Sequence, residues 1–74
     1  MIYELYINLT TNDDKMTESI YSLNEAVKRA LEISKCGNVH SVDITNDSAI
    51  ALCSMKNGEI SYVDKDLPIL LANE

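Results

Sequence analysis

Ser22-Leu23-Asn24-Glu25-Ala26-Val27-Lys28-Arg29-Ala30-Leu31-Glu32-Ile33-Ser34-Lys35-Cys36-Gly37 is the stretch on which the fold turns. Ser22-x-x-Glu25 is a capping box: the serine hydroxyl accepts from the Glu25 amide while the glutamate reaches back. Tyr21 and Ala26 stand where a hydrophobic staple closes. Leu23, Ala26, Val27, Ala30 and Leu31 follow the spacing of one apolar stripe, so this segment must cover something. Glu25 with Arg29, and Lys28 with Glu32, are i,i+4 pairs for the solvent side. Lys35 suits the negative end of the dipole and Gly37 supplies a left-handed stop. The spacing predicts a helix over 23–36.

On either side the period changes from helical to alternating. Ile2 to Leu9 puts Tyr3, Leu5, Ile7 and Leu9 on one face and Glu4, Tyr6 and Asn8 on the other. Thr11-Asn12-Asp13-Asp14 is turn chemistry, and Met16 to Tyr21 reads as the returning strand. After the helix, Val39 to Thr45 alternates with His40, Val42 and Ile44 on the inferred core face. Asn46-Asp47 turns the chain into a strand over Ser48 to Lys56. Asn57-Gly58 then signals a type I′ hairpin leading to a last strand over Glu59 to Asp64. A two-residue loop pairs Lys56 with Glu59, Met55 with Ile60 and Leu52 with Val63. Both faces of this hairpin are mixed, so alternation does not choose its buried side. The order ββαβββ predicts an α+β fold: a single antiparallel sheet with one helix packed on one face.

With 74 residues the chain makes a single small domain over 1–74. It has no Trp or Phe, so its core is aliphatic, with Tyr as the large ring. Leu67-Pro68-Ile69-Leu70-Leu71-Ala72 lies in an apolar C-terminal tail, 67–74. Pro68 keeps it out of a central strand. It either docks over its own core or forms a self-association or partner patch. MIYELYINLT carries neither a basic n-region nor a long apolar run, so a cytoplasmic protein without membrane contact is expected. Cys36 and Cys53 are too few for a disulfide framework and are expected to be reduced.

The sequence offers little that could carry catalysis. Asp43-x-Thr45-x-Asp47 spaces oxygen ligands like the start of a calcium loop. However, Ser48 replaces the required glycine and Ser54 stands where the closing glutamate belongs. His40 is the one histidine, and Gly37 and Gly58 the two glycines, so neither a zinc pattern nor a phosphate-cradling loop exists. No catalytic residue, metal ligand or cofactor is expected, and the protein is read as a non-enzyme.

Charge is more informative. Twelve acids face six bases, for a net charge of −6. The helix segment holds Glu25 and Glu32 against Lys28, Arg29 and Lys35, leaving ten acids against Lys15, Lys56 and Lys65 elsewhere. If the helix covers one side of the sheet, Glu4, Tyr6, Asn8, Asp43 and Thr45 share the open one. Carboxylates interleaved there with tyrosine and small polar groups are either a solubilising surface, since a net charge of this size is ordinary for a small domain, or a candidate protein-binding patch for a partner with a basic surface. Direct binding of nucleic acid is disfavoured.

SLNEAVKRA at Ser22–Ala30 and MKNGEISYVD at Met55–Asp64 give a capped helix, a strand, a glycine turn and an aromatic-Val-Asp strand. Over residues 1–66 this order resembles small phage and mobile-element proteins of the anti-CRISPR type that inhibit type I surveillance complexes. The relative in question is lysine-rich, so its contact residues do not carry over to this acidic chain. The resemblance implies a stoichiometric inhibitor of a nucleic-acid-handling complex, in the host cytoplasm if phage-encoded. The alternative is a homodimeric structural or regulatory module using the apolar tail.

Overall fold

Tyr3, Leu5 and Ile7 are buried in β1 (Tyr3–Leu9), while Glu4, Tyr6 and Asn8 are half-buried on its other side. The computed structural model describes residues 2–10 and 15–74, and the turn expected at Thr11–Asp14 lies outside the described residues. β2 (Lys15–Ile20) pairs with β1, α1 (Leu23–Ser34) crosses over, and β3 (Val39–Thr45), β4 (Ala51–Lys56) and β5 (Glu59–Val63) follow. All pairings are antiparallel, in one five-stranded sheet of order β2-β1-β3-β4-β5. The fold class is α+β, with α1 against the sheet.

Leu23, Ala26 and Ala30 of α1 are fully buried in one cluster with Leu5, Val42, Ile44, Cys53 and Met55 of the sheet. A buried aliphatic side chain contributes about 1.5–3 kcal/mol. The ion pairs on α1 are exposed, a class worth only about 0–1 kcal/mol each. The stripe holds the helix in place; the charges do not. Those charges also pair differently from the i,i+4 expectation. Arg29 Nε meets Glu18 Oε1 of β2 at 3.0 Å, and Lys35 Nζ meets Glu32 Oε1 at 3.5 Å.

The helix ends show what local sequence does not carry. Ser22 Oγ accepts from the Glu25 N–H at 3.4 Å, as a cap should. The carboxylate closing this end, however, belongs to Glu74. It accepts from the N–H groups of Leu23 and Asn24, the latter at 2.9 Å, and from the Ser22 hydroxyl at 2.9 Å. Tyr21 is 76% exposed, so no staple forms. The helix stops at Ser34 rather than Cys36. Its end is tightened by i→i+3 bonds, from Lys35 N–H to Glu32 O and from Cys36 N–H to Ile33 O. Gly37 is not in the left-handed region; Gly58, with φ 78°, is. A turn closed by Val39 N–H on Cys36 O sends the chain straight into β3.

Irregular pairings correct three further expectations. Asn8 pairs with Ser41 but Leu9 with Val39, which leaves His40 as an extra residue. The alternation resets there, so Val39 is buried and His40 is exposed rather than on the core face. Ile44 pairs with Cys53 but Thr45 with Ala51. Leu52 is the extra residue, which is how Leu52 and Cys53 can both be buried. In the last hairpin Asn57 (φ 54°) and Gly58 adopt the expected positive φ. Ser61 is then skipped, so Val63 pairs with Cys53 instead of Leu52.

The connection before β4 is longer than a tight turn. Asn46 Oδ1 accepts from the N–H groups of Ser48 (2.9 Å) and Ile50 (3.0 Å), and Ala49 takes φ 60°. The strand therefore begins at Ala51, not Ser48. The apolar tail is a short second helix, α2 (Leu67–Ala72), with Pro68 in its first turn, where a missing N–H costs nothing. Leu67 is buried in the core, Leu70 and Leu71 pack against it, and Ile69 is exposed.

Candidate protein-binding face

Because α1 takes one side of the sheet, the residues between the buried ones are left on the other. The register arranges them in rows across the strands. Ser19, Glu4 and Thr45 make one row. Thr17, Tyr6, Asp43, Ser54 and Tyr62 make the next. Lys15, Asn8 and Ser41 make a third. Glu4, Tyr6, Asn8, Asp43 and Thr45, predicted to share this face, are brought together on β1 and β3.

Asp43 is the hub of the face. Its Oδ1 accepts the Ser54 hydroxyl at 2.6 Å, and its Oδ2 accepts the Asn8 amide at 3.1 Å. The same amide reaches Ser41 Oγ at 3.0 Å. A carboxylate offers about four lone-pair sites, so Asp43 is oriented by these bonds and keeps acceptor capacity toward solvent. Tyr6 is tied to the neighbouring row. Hydrogen bonding to Glu4, and then the charge of Glu4, raise its phenol pKa, while the Thr45 hydroxyl opposes the shift. The face is thus organised before anything binds to it.

Its charge is polarised along the strands. Lys15 stands opposite Asn8, and Lys56 opposite Glu59. The other end carries Glu4, with Asp47 just beyond β3. There Ile2, Glu4, Tyr6, Thr45, Asn46, Asp47 and Ala49 line a shallow hollow of about 240 Å³. Reading the sequence alone misses Ser54, Tyr62, Thr17 and the two lysines as members of this face. The period-2 signal that finds Glu4 and Tyr6 in β1 is scrambled in β4 and β5 by the extra residues Leu52 and Ser61, while in β2 Lys15, Met16 and Thr17 are all exposed and no alternation marks a face.

The other candidates fall elsewhere. Asp43 and Thr45 of the calcium-like spacing lie along a strand, not around a loop. Among the described residues no group of three or more His, Cys, Asp or Glu side chains stands close enough to hold a metal ion. Cys36 and Cys53 are both free; Cys36 is exposed, and burial raises the pKa of the Cys53 thiol. Among the described residues no helix is long and apolar enough to cross a membrane. Comparison of the chain with protein families, with curated proteins and with solved structures gave no match in any of the three.

Proposed function

We propose that this is a small acidic binding protein that acts without catalysis, an inhibitor of the phage or mobile-element, anti-CRISPR type. Its open face engages a basic groove of a protein complex, in the place where that groove receives nucleic acid. The observation that supports this reading is the hydrogen-bonded set of Asn8, Asp43 and Ser54, with Tyr6 and Tyr62 in the Asp43 row and Glu4 in the next, on a side that α1 does not cover. Fixed carboxylates can stand in for phosphates, and tyrosines supply contact area at low entropic cost. Steering by a net charge of −6 speeds encounter with a basic partner and opposes direct contact with DNA or RNA.

The homodimer reading loses its main support, because Leu67, Leu70 and Leu71 are turned onto the chain's own core. The test is competition: added protein should release labelled DNA from a type I surveillance complex stoichiometrically. Release that occurs only because the protein binds the DNA itself would contradict the proposal.

A further inference from the structure

The hollow at the carboxylate end of the open face differs in kind from the flat rows beside it. Small-molecule pockets run to about 300–1,000 Å³, so a space near 240 Å³ suits one side chain better than a free ligand. Its lining combines two carboxylates, Glu4 and Asp47, with the Tyr6 ring, the apolar atoms of Ile2 and Ala49, and the polar Thr45 and Asn46. No lysine or arginine is among these residues. Lys15 and Lys56 sit in the rows away from Glu4 and Thr45.

The walls are held in place. Tyr6 is hydrogen-bonded to Glu4 and to Thr45, both of which also line the hollow. The turn carrying Asp47 and Ala49 is closed by four hydrogen bonds. Asn46 Oδ1 accepts from Ser48 and Ile50 N–H, Asn46 N–H donates to Ile50 O at 3.1 Å, and Ala49 N–H donates to Asn46 O at 3.0 Å. A long aliphatic stem with a cationic head matches this lining. In such a seat the stem would meet Ile2 and Ala49 and the head the carboxylates of Glu4 and Asp47, with the Tyr6 ring alongside.

We infer that this hollow seats a single lysine or arginine side chain of the partner and fixes where on the basic groove the face docks. The inference rests on the open face being the binding surface and adds to it a defined anchor. The probes are N-acetyl-lysine methylamide and N-acetyl-arginine methylamide, titrated into ¹⁵N-labelled protein, with the neutral norleucine analogue as control.

Both cationic probes should give saturable millimolar shifts at the amides of Glu4, Tyr6 and Thr45 to Ala49, and the norleucine probe should give none. Asp47→Asn should weaken the cationic probes several-fold, whereas Asp43→Asn, outside the hollow, should leave them unchanged. Equal shifts with norleucine, absence of saturation, or an Asp43→Asn loss as large as that of Asp47→Asn would overturn the inference. Those outcomes are separable from failure of the proposed function. A face that binds only by diffuse charge would still give salt-dependent partner binding sensitive to Asp43, with Asp47→Asn at wild-type level.

Discussion

The Glu74 carboxylate accepts the backbone N–H of Asn24 at 2.9 Å, closing the first turn of α1 from a position 50 residues downstream. The bonds from Asn24 and then Leu23 hold its pKa below the ordinary glutamate value, against a smaller desolvation effect. A depressed carboxylate stabilises the fold above its unfolded pKa, and the contribution is lost as pH falls through the folded value. Glu74→Ala should therefore lower the thermal midpoint by a few degrees at neutral pH. The gap to wild type should close once the medium is acid enough to protonate the folded carboxylate. A pH-independent gap would show that the side chain acts by packing instead.

Ser34 is 1% exposed and joins two elements: its hydroxyl donates to Leu31 O at 2.8 Å and accepts from Gly58 N–H at 3.0 Å. Ser34→Ala leaves that N–H without its partner and should cost about 1–3 kcal/mol, measured by urea unfolding. Gly58→Ala should also destabilise, because its φ is 78° and a Cβ would lie 2.9 Å from Lys35 Cγ. The lysine stem can move, so most of that cost is conformational.

Much of the fold was legible because its signals are local. The stripe from Leu23 to Leu31, the alternation in β1 and the Asn57-Gly58 turn each lie within one element, and each is present in the structure. What was not legible depends on partners distant in sequence. The capping role of Glu74 is one case, and the skipped residues His40, Leu52 and Ser61 are others. A bulge is a property of two strands, so alternation within one strand could neither place His40 outside nor bury both Leu52 and Cys53. The same limit applied to the candidate face: alternation places Glu4, Tyr6, Asn8, Asp43 and Thr45 on one side of the sheet, but it did not find Ser54 and Tyr62 beside them.

Leu67 and Ile69 belong to the same short helix but face different surroundings, 4% and 61% exposed. Leu67→Ala should cost about 2–5 kcal/mol, as core truncations of leucine do, while Ile69→Ser should leave stability nearly unchanged. Sedimentation of Ile69→Ser should match wild type. A shift from dimer to monomer in that variant would revive the tail as an association surface.

The two thiols should separate cleanly by reactivity. Cys36 is exposed and Cys53 is buried, with burial raising its pKa. A thiol reagent at neutral pH should label one cysteine quickly and the second only in denaturant. Rapid labelling of both would mean that β4 opens readily.

The open face is proposed to recognise a basic surface through Glu4 and the Asp43 hub. Stopped-flow or surface-based kinetics with a type I surveillance complex at low and moderate salt tests it most directly. The variant is Glu4→Lys with Asp43→Asn, its fold verified by thermal unfolding, and Lys28→Glu on α1 is the control. The double variant should associate several-fold more slowly at low salt, with a smaller change in dissociation and a gap that narrows as salt screens charges beyond about 10 Å. Lys28→Glu should match wild type. Kinetics unchanged by the double variant, or binding that survives only through direct contact of the protein with nucleic acid, would contradict it.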